Sequence, residues 1–219
     1  FYVGSIAQRK VLEVQPDGTT TELAGLDQRL DEILGLALDA PRRILYAVST
    51  SALTAKGEKT RRNRVVTDIM EPGSTFKIVV TAGALNDHVV DLNDVFFCEN
   101  GQFSFARHTL HDHGSHGQLT VEGIITKSSN IGAAKIGIKL GEPRLHDYVR
   151  SFGFGEKTGI PLPGEVRGYV PAVKDWYKVS IAQIPMGHGI SVTRLQMVMA
   201  MCSIANGGVL MRPMLVDRL

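Results

Sequence analysis

Glu71-Pro72-Gly73-Ser74-Thr75-Phe76-Lys77 opens a run, residues 75–85, that is apolar almost all round: Phe76, Ile78, Val79, Val80, Ala82, Ala84 and Leu85. A helix with no wet face belongs in the middle of its domain. Ser74 and Lys77 stand at its start with S-x-x-K spacing. On a helix that spacing puts the hydroxyl and the amine on one face, about one turn apart. A serine hydroxyl is a weak nucleophile until a neighbouring base takes its proton. Lysine can be that base only where burial disfavours its charged form, and an apolar helix supplies the burial. The helix N-terminus adds free backbone N–H groups and a positive dipole end beside Ser74, which suits a developing oxyanion. S-x-x-K alone occurs by chance in many proteins, so the pair needs a second signal.

That signal is Lys127-Ser128-Ser129-Asn130, a polar break between two stretches of helical pattern, residues 119–126 and 131–140. Ser128 offers a second hydroxyl that can pass a proton to a leaving amine, and Asn130 can hold a substrate amide. The same residues also have the composition of a helix stop and cap. S-x-x-K followed by S-x-N, in this order, is the motif set of penicillin-binding proteins and serine β-lactamases.

The resemblance then widens. Residues 71–77 look like the active-site serine motif of monofunctional (class B) penicillin-binding proteins, with Arg64-Val65-Val66-Thr67-Asp68 before it in family style. Cys98-Glu99-Asn100-Gly101, His111-Asp112-His113-Gly114 and Ser128-Ser129-Asn130-Ile131-Gly132 resemble the septal, cell-division branch. So do Phe152-Gly153-Phe154-Gly155, Leu162-Pro163-Gly164-Glu165, residues 187–193 (Gly-His-Gly-Ile-Ser-Val-Thr) and Ala205-Asn206-Gly207-Gly208. The match runs from about residue 26 to the end, with the motifs in the family's order.

This resemblance implies the α/β (α+β) penicillin-recognising fold, an antiparallel sheet flanked by helices. It makes residues 26–219 a partial transpeptidase domain and residues 1–25 a remnant of a pedestal domain. The implied activity is peptidoglycan D,D-transpeptidation, with Ser74 as nucleophile, Lys77 as base, Ser128 as proton relay and Asn130 as substrate-amide ligand. Its implied partners are stem peptides, β-lactam antibiotics and membrane proteins of the division complex. The implied location is the extracytoplasmic face of the bacterial membrane, with the anchor outside these residues. No metal, cofactor or nucleic acid is expected. Two alternatives stand beside it: a serine β-lactamase, which shares the nucleophile but needs an efficient deacylating base, and a binding module, either a β-lactam sensor, which stays acylated, or an inactive structural relative in a division complex.

Two features depart from the family pattern. Its third motif, a Lys-Thr-Gly on a core strand well downstream of Gly187-His188-Gly189, is expected beyond residue 219. Lys157-Thr158-Gly159 precedes Gly187 in a Gly/Pro-rich loop and reads as a decoy. Glu165 matches a deacylating glutamate by type alone, in a structural Leu-Pro-Gly-Glu setting. Ala40-Pro41-Arg42-Arg43-Ile44 also follows the first helical pattern sooner than in the family, where a full strand with a hairpin intervenes; either this edge of the sheet is reduced or, the favoured reading, a segment is missing.

The rest of the chain is less specific. Pro16-Asp17-Gly18 reads as a tight turn between short strands. Leu26, Leu30, Ile33, Leu34, Ala37 and Leu38 recur at helical spacing, which predicts an amphipathic helix over residues 27–39 stopped by Pro41. Residues 44–48 read as a strand and residues 49–64 as a polar, basic connection. Thr193-Arg194-Leu195-Gln196 has capping-box spacing and starts a helix that ends near Asn206-Gly207-Gly208. Residues 209–216 read as a final strand, at an edge because of Pro213.

His108, His111, His113 and His116, with Asp112, are dense enough to raise zinc; the family pattern makes them a hydrogen-bonded loop. His188 between two glycines also reads as structural. Cys98 and Cys202 leave both one disulfide and two free thiols open. With 43% hydrophobic and 21% charged residues the chain is ordinary globular material, and a net charge of +2 gives no ground for nucleic acid.

Overall fold

A computed structural model describes residues 2–5, 10–14, 20–22, 35–39, 44–48 and 63–215. In chain order the first elements are strands β1 (Tyr2–Ser5), β2 (Lys10–Val14), β3 (Thr20–Glu22), β4 (Gly35–Asp39) and β5 (Ile44–Val48), helix α1 (Arg64–Thr67) and strand β6 (Ile69–Met70). Helix α2 (Lys77–Asn86) follows, then β7 (Val95–Phe97), β8 (Gln102–Phe105), β9 (His108–His111) and β10 (Gln118–Thr120). The rest is α3 (Val121–Thr126), α4 (Asn130–Leu140), α5 (Glu142–Ser151), α6 (Ser180–Gln183), β11 (Val192–Thr193) and α7 (Arg194–Ala205). Helices and antiparallel strands mix as the α/β reading requires.

The chain divides into two compact units. One comprises Phe1–Asp68, Lys157–Val166 and Thr193–Leu219. Its strands form antiparallel ladders in the orders β1-β2-β3 and β4-β5. Val66, Ile160, Leu195 and Met199 make a buried cluster, with Val65 and Leu162 packed against it. Helix α7 starts on the capping box read from the sequence: Gln196 N donates to Thr193 Oγ1 at 3.1 Å, and Thr193 N donates to Gln196 Oε1 at 2.8 Å.

Two expectations are corrected in this unit. Gly35–Asp39 is a strand, paired with Ile44–Val48, and not the end of a helix. A short apolar run such as Leu36-Ala37-Leu38 fits either period, and here cross-strand pairing decided; residues 27–34 of that expected helix lie outside the described residues. Residues 209–215 form no strand. Strand propensity yields no strand without a partner edge, and Pro213 withholds a ladder donor. The Pro16-Asp17-Gly18 turn lies outside the described residues, although the strands flanking it pair with Val14 opposite Thr20. Residues 40–43 and nearly all of the 49–64 connection also lie outside them.

The second unit, Ile69–Glu156 with Arg167–Val192, is built on α2 and α4. Phe76, Val79, Val80 and Ala84 of the serine segment are fully buried, as are Ile131, Ala133, Ala134 and Ile136 of α4. Close approach is what Gly137 supplies: a Cβ there would fall 2.3 Å from Pro185 Cγ. Phe76 packs on Phe154 with ring centroids 5.1 Å apart. Strands β8 and β9 pair from Gln102↔His111 to Phe105↔His108. Ala106 and Arg107 turn this hairpin with φ of 48° and 67°, the left-handed pair a two-residue turn requires. The hairpin runs directly into Asp112. Both cysteines, Cys98 and Cys202, are buried and free.

Candidate active site

The chain enters α2 through a 3-10 turn, Gly73–Phe76, which leaves Ser74 exposed at the helix mouth. Lys77, the first residue of α2, is 2% exposed, held among the apolar residues that the sequence pattern buries. Its Nζ lies 3.1 Å from Ser74 Oγ and 3.0 Å from Ser128 Oγ, and donates to the Ser128 carbonyl at 2.5 Å. These partners are two hydroxyls and a carbonyl, with no carboxylate among them. Burial therefore pulls the Lys77 pKa down to about 8, against the opposing charge of Asp112. An amine near that value exchanges a proton at neutral pH, which a solvated lysine does not.

Ser128 reaches the amine through an unusual backbone. Its φ is +55°, in the left-handed region, a conformation that costs a residue with a Cβ on the order of 1–3 kcal/mol. The break between α3 and α4 that was read as S-x-N is this strained corner. Ser129 N-caps α4, its Oγ accepting from Gly132 N at 2.9 Å. Ser129 Oγ also donates to Asp112 Oδ2 at 2.7 Å. The other oxygen, Oδ1, accepts from Asn130 N at 2.5 Å and from Ile131 N at 3.0 Å. Asn130 Nδ2 donates to the His111 carbonyl at 2.8 Å, which orients its amide. The cap read from the sequence is present, and the residue just before it, Ser128, is the one that meets Lys77.

A second loop supports the serine turn. Gly73 N donates to Gly187 O at 3.2 Å. Gly187 has φ +81°, and a Cβ there would lie 2.2 Å from Gly73 O, so glycine is required for contact this close. Beside it the Glu71 carboxylate sits 3.0 Å from His188 Nδ1 and accepts from Gly189 N at 2.9 Å. The His188 hydrogen bond first, then the Gly189 amide, hold the Glu71 carboxyl below the ordinary carboxylate range. Reading His188 as structural matches this contact, but neither its partner Glu71 nor the role of Gly187 had been singled out.

Ser74, Lys77 and Ser128 are therefore brought to one place, and Asn130 stands two positions after Ser128 with its amide on the His111 carbonyl. Sequence reasoning gave no role to Asp112, which it noticed only as part of the histidine cluster and of the motif His111-Asp112-His113-Gly114. That aspartate lies 17 positions before Ser129, a separation at which no local pattern links two side chains. Of its histidine neighbours, His108, His111 and His113 are exposed. No metal-like group of three histidine, cysteine or acidic side chains occurs among the described residues.

Lys157-Thr158-Gly159, in the other unit, has a different fate. Thr158 N and Oγ1 donate to Glu165 Oε1 at 2.7 and 2.5 Å, and Gly159 N donates to Oε2 at 3.2 Å. The two residues set aside as decoys, Thr158 in its motif and Glu165, are partners of each other.

Residues 35–219 match the sequence profile of the penicillin binding protein transpeptidase domain. Penicillin-binding protein PbpB of Mycobacterium tuberculosis is 34% identical over 193 residues, 87% of this chain and 28% of that protein. Peptidoglycan D,D-transpeptidase FtsI of Escherichia coli strain K12 is 30% identical over 193 residues, 88% of this chain and 31% of that protein. The chain thus spans under a third of the length of these relatives. Among solved structures, penicillin binding protein 3 of Mycobacterium tuberculosis, complexed with ampicillin, superposes with a TM-score of 0.66 at 36% identity, covering 69% of this chain and 34% of that one.

Proposed function

The chain belongs to the penicillin-binding protein transpeptidase family, and from that premise we propose that it acts as a serine D,D-transpeptidase of peptidoglycan synthesis. The observation that carries the reading is the buried Lys77 amine shared between Ser74 Oγ and Ser128 Oγ, at 3.1 and 3.0 Å. Ser74 Oγ attacks the carbonyl between the two terminal D-alanines of a stem peptide, and its proton passes to Lys77 Nζ. The Ser74 backbone N–H, at the mouth of α2, faces the developing oxyanion. Ser128 relays the proton from Lys77 to the leaving nitrogen; the C–N bond breaks, D-alanine departs and Ser74 is left acylated. The amine of a neighbouring stem peptide then attacks the ester, gives its proton back through the same chain, and frees Ser74. Asn130 binds the amide of the substrate peptide. A β-lactam enters this sequence as a strained amide and stops at the ester.

The same proposal puts residues 26–219 in a partial transpeptidase domain and residues 1–25 in a pedestal remnant. It has the domain work at the extracytoplasmic face of the bacterial membrane, with division-complex membrane proteins as partners. No helix among the described residues is long and apolar enough to cross a membrane. A β-lactamase reading is disfavoured by Glu165, whose oxygens are taken by Thr158 and Gly159.

Mass spectrometry of the full-length protein after benzylpenicillin treatment tests the proposal. It should gain one intact drug mass on the peptide holding Ser74, lose that labelling in Ser74→Ala, and keep the adduct for far longer than one catalytic cycle. A stable label on another serine would end the assignment. Rapid hydrolytic turnover would move the protein to the β-lactamases.

A further inference from the structure

Asp112 takes up the first free backbone donors of α4, Asn130 N and Ile131 N, and the hydroxyl of the N-cap Ser129. Those donors have no partner within a helix, and an anion at a helix N-terminus is favourable. Helix α4 already possesses its own cap in Ser129, so this carboxylate is a second, external clamp, delivered by the loop after β9. Immediately before the clamped residues stands Ser128, at φ +55°. A strained residue persists only where its surroundings over-determine it, and here the clamp does so. The strained conformation is the one in which both the carbonyl and the hydroxyl of Ser128 meet Lys77. Asp112 is also the charged group whose field acts on Lys77, favouring its protonated form. Lys135 of α4 and Glu99, themselves paired at 2.6 Å, act together with Asp112 on the Cys98 thiol. His111 and His113 adjoin it in the chain.

We propose that Asp112 is a positioning residue for acyl transfer, holding Ser128 in its left-handed corner against Lys77. The inference rests on the roles given above to Ser74, Lys77 and Ser128. A purely structural cap would affect folding and leave the pH dependence of the chemistry alone; Asp112 does not.

The test is the rate of benzylpenicillin acylation against pH in the full-length protein, with thermal melting as the folding control. Asp112→Asn keeps the shape and removes the charge. Its rising limb should move to lower pH, because an anion favouring charged Lys77 has gone. Its plateau rate should fall by about ten- to a hundredfold as the relay loosens. Ser129→Ala removes one strut and keeps the charge, so its plateau should fall while its limb stays in place. A limb and plateau unchanged in Asp112→Asn, or a limb displaced equally in both variants, overturns the proposal. Should Asp112→Asn fail to melt cooperatively, Ser129→Ala decides, and a wild-type plateau there overturns it. Wild-type protein unlabelled at Ser74 would bring down the transpeptidase reading, whereas normal labelling with an indifferent Asp112→Asn brings down this inference alone.

Discussion

The Ser74–Lys77–Ser128 cluster and the Lys157-Thr158-Gly159 loop carry the same kinds of group, an amine and hydroxyls on short motifs, in very different company. Lys77 is buried, and its amine meets two hydroxyls and a carbonyl at a strained corner. Lys157 lies exposed, and the hydroxyl and amides next to it are consumed by Glu165. In one region the polar groups are left with capacity to react; in the other they close a loop. Motif spelling does not distinguish these cases. Burial of the amine with no carboxylate bound to it does, because desolvation then outweighs the opposing charge of Asp112 and shifts the lysine toward its neutral form.

The largest expected contrast comes from the lysines themselves. Lys77→Ala should slow acylation by ~10²–10⁴-fold, the usual loss when a positioned general base is removed. Lys77→Arg should be no better, since a guanidinium stays protonated and cannot take the serine proton. Stopped-flow acylation that remained within a few-fold of wild type in Lys77→Ala would erase the distinction between the two regions.

Next in size is the pH dependence. The Lys77 pKa is lowered to about 8, and the neutral amine is the base. Acylation should therefore climb with pH, by about tenfold per unit well below that value, and level off above it. A flat profile from pH 6 to 9 would show that Lys77 is not the titrating group.

Glycine replacements probe how tightly each loop is built. Gly187→Ala would drive a methyl into the Gly73 backbone, and should destabilise by about 1–3 kcal/mol or more with loss of acylation. Gly159→Ala also has a positive φ, +78°, but its nearest neighbour is the flexible Arg212 side chain at 3.4 Å. It should cost only the backbone term, about 1–2 kcal/mol, with acylation per folded molecule unchanged. Equal melting shifts in the two variants would contradict the packing difference. The smallest effect is reserved for Lys157→Ala, which should acylate within severalfold of wild type; a loss of orders of magnitude would make Lys157-Thr158-Gly159 the functional third motif.

What the sequence determined by itself was local. The all-round apolar run after Ser74 required a buried helix, S-x-x-K put hydroxyl and amine on one face of it, and Thr193–Gln196 built its capping box as spelled. These outcomes need only interactions within one or two turns of chain, which periodicity records. Local pattern failed where partners decide. Gly35–Asp39 became a strand through pairing with Ile44–Val48, and residues 209–215 formed none. The site divides in the same way. Ser74 and Lys77 were legible as a pair, and the resemblance to a family singled out Ser128 and Asn130. Only the tertiary structure decided that Ser128 would turn left-handed to meet Lys77, that Gly187 would touch the serine turn, and that Asp112 would clamp the start of α4. Each of these joins segments far apart in the chain, and the packing of α2 against α4 brings such segments together by burying apolar surface, whose attraction is non-directional and leaves no local mark on the residues it will unite.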